Sequence, residues 1–187
     1  EDTAAILFTS GTTSMPKGVM LSHYNLVNSS LETSFHMKWT SRDKMLIAVP
    51  LFHCFGLTSC LLSSVHTGFV MYLIEYYKTL TVFKSIQEYK CTLFNGVPSM
   101  FLAMIRNPEL PNYDLSSLRR GIIAGSPIHQ DEYMKIREVI PSLKLHSSYG
   151  QTETSPCVSI GHVEDLDIDH AKSAGRILEN IKVRIVD

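Results

Sequence analysis

Residues 8–18 read FTSGTTSMPKG, and they follow an apolar run, Ala4 to Phe8, that predicts a short β-strand. The ten residues from Thr9 to Gly18 contain five hydroxyl side chains, two glycines and Lys17. Glycines let backbone N–H groups approach an anion, hydroxyls donate hydrogen bonds, and lysine supplies positive charge. The segment therefore predicts a loop that binds a polyphosphate. A merely solvated Ser/Gly loop would have a similar composition.

Two other motifs share part of this string and are not favoured. A Walker A loop ends in G-K-[ST], whereas the order here is Pro16-Lys17-Gly18. Ser14 to Lys17 also fits S-x-x-K, but no K-T-G or S-D-N follows, so a penicillin-binding-type nucleophile is not indicated.

Apolar runs and amphipathic segments alternate along the rest of the chain, which predicts an α/β fold with a mostly parallel sheet and flanking helices. Ligands of such sheets bind beyond the carboxyl ends of strands, where the most unusual loops are predicted to lie, at 9–18, 125–127 and 150–154. A strand-like run at 181–186 ends the sequence, which we interpret as a fragment of a longer protein. The predicted strands are 4–8, 44–49, 68–74, 92–94, 121–124 and 143–149, and the predicted helices are 22–37, 57–66, 81–89, 98–105 and 129–139.

Composition narrows the classes of function. The formal net charge of −1 provides no basic surface for nucleic acid or anionic lipid. The most apolar stretch, 55–65, is too short for a transmembrane helix, which needs about 20 apolar residues. The four cysteines form no C-x-x-C pair and the eight histidines no metal-binding motif. We therefore expect free thiols and a cytoplasmic protein.

The string at 8–18 closely resembles the signature loop of the adenylate-forming superfamily, [YF]-T-S-G-T-T-G-x-P-K-G, with Ser14 where glycine is usual. This superfamily includes acyl- and aryl-CoA synthetases, luciferases and the adenylation domains of peptide synthetases. Segments 50–57, 121–128, 148–153 and 173–187 resemble further family motifs in the same order. The chain is identified on these grounds as a member of that superfamily.

The resemblance implies that 1–187 is a single fragment of the large N-terminal domain, which binds ATP and the carboxylic acid, without the C-terminal lid domain. The implied reaction joins a carboxylate and ATP into an acyl-adenylate, followed by thioester formation with coenzyme A. The small-molecule acid, ATP with Mg²⁺, and coenzyme A are thus the implied ligands. We expect the fragment alone to be inactive.

The resemblance also implies site residues. Lys17, Thr152 and Glu153 are the implied catalytic residues: Lys17 stabilises pyrophosphate charge, Thr152 donates to the α-phosphate, and Glu153 holds Mg²⁺. Structural alternatives are a helix cap for Glu153, a local turn for Thr152 and core packing for Tyr149, which would otherwise contact adenine. The implied nucleotide-binding residues are Thr9, Ser10, Gly11, Thr12, Thr13, Lys17, Gly125, Ser126, Pro127, Ser148, Tyr149, Gly150 and Thr152.

His53, Phe52 and Phe55 are the implied acid pocket. Amino-acid-activating relatives place an aspartate here to pair with the substrate amine, but no acidic residue occurs between Lys44 and Ile74. An unpaired buried ammonium is costly, so a fatty or aryl acid is favoured. Three alternatives stay open: an amino-acid adenylation domain, a luciferase-type oxidase, and a non-catalytic nucleotide-binding scaffold.

Overall fold

A computed structural model describes residues 2–10 and 15–186 of the chain. No helix in this described part is long and apolar enough to cross a membrane. The strands are β1 (Thr3–Thr9), β2 (Lys17–Ser22), β3 (Lys44–Ile47), β4 (Val70–Leu73), β5 (Leu93–Asn95), β6 (Arg120–Ile123), β7 (Lys144–Gly150), β8 (Cys157–Ile160) and β9 (Arg176–Ile177). The helices are α1 (His23–His36), α2 (Cys54–Gly56), a π-helical segment (Leu57–Leu62), α3 (Ser63–Thr67), α4 (Thr79–Tyr89), α5 (Pro98–Ile105), α6 (Gln130–Val139) and α7 (Asp167–Lys172), with 3₁₀ turns at Leu110–Asn112 and Thr152–Thr154.

The main sheet has seven strands in the order β4-β3-β5-β6-β7-β8-β9. The first five pair in parallel, β8 pairs antiparallel with β7, and β9 pairs antiparallel with β8. This arrangement confirms the predicted α/β fold with a mostly parallel sheet. Because β3, β5, β6 and β7 run side by side in one direction, their carboxyl ends share one edge, where the loops at 125–127 and 150–154 begin.

The central strands β3 and β5 are buried on both faces, which explains why they are nearly continuous apolar runs. Alternate residues of β3 separate into two clusters: Leu46 packs with α4, α5 and α6 residues, whereas Met45 and Ile47 pack with Phe55 and Cys60 on the other face. The inner face of α4 is formed by Val82, Phe83 and Ile86, which are fully buried. The result is a three-layer fold in which the sheet lies between two layers of helices.

The first loop differs from its predicted position. β1 and β2 form a separate antiparallel hairpin, with Thr9 opposite Lys17 at the end where residues 10–16 connect the two strands. The loop at 9–18 therefore does not follow a strand of the parallel sheet, and Lys17 already belongs to β2. An apolar strand followed closely by a second apolar run can pair with its neighbour instead of joining a larger sheet, and the sequence does not distinguish the two outcomes.

The predicted helix at 57–66 starts earlier and contains an irregular turn. It begins at Cys54, changes to π-helical geometry at Leu57–Leu62 and ends at Thr67. A side chain at Gly56 would lie 2.2 Å from the carbonyl oxygen of Pro50, so glycine is what allows the chain to fold back onto this segment. π-helical turns occur often at functional sites, and this one follows directly on residues of the candidate pocket.

The end of the chain departs most from prediction. β8, α7 and β9 are additional elements, and residues 181–186 have no regular secondary structure, so the strand predicted there is wrong. An apolar run forms a strand only where a neighbouring strand accepts its hydrogen bonds, and these residues are largely exposed. The added elements are short, at four, six and two residues, which weakens their periodicity as a signal.

Candidate active site

A cavity of about 500 Å³ opens at the carboxyl edge of the parallel strands. Segments that follow β3, β5, β6 and β7 form most of its wall, as expected for a parallel α/β sheet. Its lining residues are Thr9, Val49, Pro50, Phe52, His53, Cys54, Phe55, Val97, Ala124, Gly125, Ser148, Gly150, Gln151, Thr152, Glu153, Pro156 and Cys157.

The turn after β7 brings Thr152 and Glu153 to the cavity. Gly150 passes so close to the next strand that a side chain on it would lie 1.8 Å from the carbonyl oxygen of Pro156. Thr154 holds the turn, because its hydroxyl donates to the carbonyl oxygen of Pro156 at 2.6 Å and accepts from the backbone N–H of Gln151 at 3.1 Å. The local-turn role considered for Thr152 thus belongs to Thr154, which leaves Thr152 and Glu153 to line the cavity.

Glu153 is exposed and lies in the first turn of the short 3₁₀ helix. The hydrogen bonds that cap this turn join Gln151 and Thr154, and Glu153 takes no part in them. The helix-cap alternative for Glu153 is therefore wrong, and its carboxylate remains open to the cavity.

Thr152 contacts Cys54 across the cavity. The Cys54 thiol donates a weak hydrogen bond to the Thr152 hydroxyl oxygen at 3.9 Å, which leaves the Thr152 hydroxyl proton for a ligand. Burial raises the pKa of Cys54, and the contact with Thr152 opposes this only in part. The thiol is therefore protonated at neutral pH and acts as a donor.

His53 starts the helix and also lines the cavity. Its Nδ1 atom accepts a hydrogen bond from the backbone N–H of Phe55 at 3.2 Å, so it caps α2. A neutral imidazole that accepts at Nδ1 carries its proton on Nε2. The side chain is exposed, so the cap fixes a ring that can present an N–H donor to a ligand.

The predicted acid-pocket residues lie together, with different exposure. Phe55 is buried at 6% exposure, whereas Phe52 is 82% exposed at the rim. Apolar atoms of Val97, Ala124 and Pro156 complete this side of the cavity. An apolar wall with few polar groups is typical of small-molecule sites.

The predicted nucleotide-binding residues divide into three sets. Thr9, Gly125, Ser148, Gly150 and Thr152 line the cavity. The Ser148 hydroxyl donates to the carbonyl oxygen of Ser159 at 2.8 Å, so its oxygen can serve a ligand only as an acceptor. Five others are described but lie outside the lining: Ser10, Lys17, Ser126, Pro127 and Tyr149. The remaining three, Gly11, Thr12 and Thr13, fall outside the described residues.

Tyr149 and Lys17 are both exposed near the cavity. Tyr149 is 54% exposed, so the core-packing alternative for it is wrong. Lys17 is held opposite Thr9, which itself lines the cavity. The hairpin thus keeps the lysine beside the candidate site without inserting it.

Several lining residues were not among the site residues predicted from the sequence. Val49 and Ala124 lie within two residues of the ends of β3 and β6, and the rule for parallel sheets could have identified them. Gln151 lies inside the family-like segment 148–153, but it was not among the site residues predicted there. Pro156 and Cys157 lead into β8, and no signal pointed to them because that strand was not predicted.

A parallel α/β sheet with a cavity at its carboxyl edge, lined by a histidine, a hydroxyl and a carboxylate, defines a small-molecule-binding class of protein. Comparison with protein families assigns it further: the whole chain, residues 1–187, matches the AMP-binding enzyme family. The chain belongs to the AMP-binding enzymes.

Similar proteins are acyl-CoA ligases by name. YngI of Bacillus subtilis, provisionally named an acyl-CoA synthetase, is 40% identical over 180 residues, which cover 96% of this chain and 33% of that protein. The acyl-CoA ligase sidI of Aspergillus fumigatus is 37% identical over 187 residues, covering all of this chain and 32% of that protein. The chain spans about a third of the length of the curated relatives it matches.

Solved structures agree on the fold. O-succinylbenzoate coenzyme A synthetase of Bacillus subtilis, in complex with ATP and magnesium ion, superposes with a TM-score of 0.84 at 29% identity, covering all of this chain and 38% of that one. An anthranilate CoA ligase in complex with anthranoyl-AMP gives a TM-score of 0.90 at 21% identity, over all of this chain and 36% of that one. This second likeness supports the fold alone.

Proposed function

We propose that the chain is the ATP- and acid-binding part of an enzyme that activates a carboxylic acid to its acyl-adenylate and transfers the acyl group to coenzyme A. The observation that carries the proposal is that Thr152, Glu153 and His53 line one cavity with Thr9, although they come from three separate parts of the chain. The names of the acyl-CoA ligase relatives support this function. The chain covers about a third of each of these relatives, which supports its assignment as one part of a longer enzyme.

The residues present fit a nucleotide and its cation. Thr9 and Thr152 offer hydroxyl donors of the kind that contact phosphate oxygens, and Lys17 adds positive charge beside them. Glu153 offers one exposed carboxylate, and Mg²⁺ takes its other ligands from phosphate oxygens and water. Bound there, Mg²⁺ would neutralise charge on the leaving pyrophosphate. Positioning and charge stabilisation by these groups require no protein nucleophile.

The cavity supports a fatty or aryl acid as the substrate class. Its described lining contains one carboxylate, that of Glu153, which we assign to the cation. A substrate ammonium would compete with that cation, whereas an apolar acyl group suits Phe55, Val97 and Ala124. His53 supplies an N–H donor on the same side, which we assign to the acid carboxylate.

The test is acid-dependent exchange of pyrophosphate into ATP by the full-length enzyme, with fatty, aryl and amino acids compared. We expect exchange with fatty or aryl acids and a loss of about 100-fold in Glu153→Ala and Lys17→Ala, as when one group that stabilises transition-state charge is removed. Glu164→Gln is the matched control, because Glu164 is an exposed carboxylate paired with Lys38 away from the cavity. Exchange with amino acids alone would indicate an adenylation domain of a peptide synthetase, and no exchange with any acid would indicate a nucleotide-binding scaffold.

A further inference from the structure

Asn95 is a buried polar residue two positions before Val97 of the cavity wall, and it does not itself line the cavity. It ends β5 and is 1% exposed. Its side-chain oxygen accepts a hydrogen bond from the backbone N–H of Ile122 at 2.9 Å. Its side-chain nitrogen faces the carbonyl oxygen of Ser59 at 3.4 Å and the Cys60 sulfur at 3.6 Å. Every hydrogen-bonding partner of this amide therefore belongs to another element.

The side-chain oxygen of Asn95 accepts a backbone hydrogen bond where the regular pairing of β5 and β6 is interrupted. β5 and β6 share one registered pair, Leu93 with Arg120, and the chains then approach so closely that a side chain on Gly121 would lie 2.0 Å from the carbonyl oxygen of Phe94. The N–H of Ile122 is buried in this region and is satisfied by the Asn95 side chain. An unsatisfied buried N–H is costly, so this bond fixes where β6 lies.

The nitrogen of Asn95 holds the π-helical segment. Ser59 and Cys60 lie within Leu57–Leu62, where the ordinary helical hydrogen-bond pattern is interrupted. The same helix begins at Cys54, directly after His53, and both residues line the cavity. The amide donor thus connects the sheet to the segment that carries the proposed acid-binding wall.

Three walls of the cavity meet at this one side chain. Val97 follows two residues after Asn95, Gly125 follows β6, and His53 precedes the helix. The methyl group of Val97 lies 3.1 Å from the position that a side chain on Gly125 would occupy, so the walls are also in close contact above the amide. A shift of any element relative to Asn95 changes the width of the cavity.

We infer that Asn95 is a positioning residue for the acid-activating site, with its nitrogen fixing the acid-binding wall and its oxygen fixing the nucleotide-side wall. This inference rests on the proposed function of the cavity. Asn95→Asp keeps the acceptor for Ile122 and replaces the donor that faces Ser59 with a carboxylate oxygen. Asn95→Ala removes both the donor and the acceptor of the amide. It serves as the second variant if the buried carboxylate of Asn95→Asp prevents folding.

The experiment measures KM for the acid and for ATP in the full-length enzyme. Loss of one buried hydrogen bond corresponds to roughly tenfold in an equilibrium. We therefore expect Asn95→Asp to raise KM for the acid about tenfold with KM for ATP unchanged, and Asn95→Ala to raise both. Phe94→Leu is the matched control, since Phe94 is buried in the cluster on the opposite face of the sheet. An unchanged acid KM in both Asn95 variants, or the same rise in Phe94→Leu at equal melting temperature, would overturn the inference.

A second readout separates this inference from the proposed function. Amide hydrogen exchange at 57–62 should quicken in Asn95→Asp and stay unchanged in Phe94→Leu, whether or not any acid is activated. If the wild type activates no acid, the proposed function fails, and the exchange result still decides whether Asn95 holds the π-helical segment. Unchanged exchange in both Asn95 variants would show that it does not.

Discussion

His53 and Phe55 are joined by a hydrogen bond in which the backbone N–H of Phe55 donates to the imidazole Nδ1 at 3.2 Å. The ring that is proposed to meet the substrate is therefore also the cap of the helix that carries the pocket. Capping and ligand contact use different nitrogens of the same ring, so they can be separated by substitution.

His53→Asn should separate the two roles. Asparagine caps helices well, whereas alanine does not, and losing a cap costs about 1 kcal/mol. We expect His53→Ala to lower both the free energy of unfolding and kcat/KM for the acid. His53→Asn should restore most of the stability and leave kcat/KM low, as measured by thermal unfolding and pyrophosphate exchange. Full recovery of activity in His53→Asn would mean that His53 acts only as a cap.

Gly150→Ala should distort the turn that presents Thr152 and Glu153. The added methyl group would overlap the carbonyl oxygen of Pro156, a backbone atom with little freedom to move. Overpacking of this kind costs about 1–3 kcal/mol, and we expect ATP binding to be lost with it. Gly96→Ala is the control, because its methyl group would meet only side-chain atoms, of Phe101 at 3.2 Å and Met100 at 3.3 Å. Calorimetric unfolding with and without ATP distinguishes the two variants.

Glu153→Gln should uncouple nucleotide binding from Mg²⁺. In the wild type we expect Mg²⁺ to tighten ATP binding, because one carboxylate and the phosphates share the cation. The glutamine variant should bind ATP with an affinity that Mg²⁺ changes by less than about tenfold, the equivalent of 1.4 kcal/mol. Titration calorimetry of ATP binding, with and without Mg²⁺, makes the comparison. Equal Mg²⁺ dependence in wild type and variant would remove Glu153 from the proposed cation site.

The stability of the fold should fall on acidification through a buried histidine pair. His146 and His170 are 0% and 1% exposed and meet edge to face, with ring centroids 4.7 Å apart. Burial lowers the pKa of His146 to about 3 and also lowers the pKa of His170. The unfolded chain therefore binds more protons than the folded one below the ordinary histidine pKa. Stability is fully present above about pH 6.5 and is lost as the pH falls toward 3.

The slope of that loss can be assigned to His146. Each proton contributes about 1.4 kcal/mol per pH unit. Asparagine can still donate to the carbonyl oxygen of Gly161, which His146 Nδ1 contacts at 3.0 Å, but it does not titrate. We expect His146→Asn to reduce the slope of unfolding free energy between pH 6 and 4 by about one proton, and His23→Asn, at an exposed site, to leave it unchanged. An unchanged slope in His146→Asn would contradict the assignment.

The sequence predicted the parallel part of the fold because its strands are buried on both faces. Residues such as Met45 and Leu46 face opposite clusters, so the run stays apolar throughout and its boundaries are marked by turns. β8 and β9 lack this property. Cys157–Ile160 joins the sheet antiparallel through a turn in which Ser155 has a positive φ of 64°, a conformation that composition does not reveal.

Site residues that lie just after strand ends could be predicted from the sequence, whereas residues whose role depends on tertiary packing could not. Thr152 and Glu153 lie two and three residues after the end of β7, and both line the cavity. Asn95 gave no signal, because its role depends on Ser59 and Ile122, which are distant in sequence and meet it only in the folded sheet. Local pattern carries no information about such contacts.

The cavity wall draws on residues from Thr9 to Cys157, so almost the entire chain must be in place before the cavity exists. Contacts between such distant positions form slowly, because loop closure must precede any gain from the contact. A molecule bound there consequently holds the hairpin, the sheet and α2 together, and at 100 times its dissociation constant it adds about 2.7 kcal/mol to stability. Substrate supply would then set how long the folded enzyme persists as well as how fast it works.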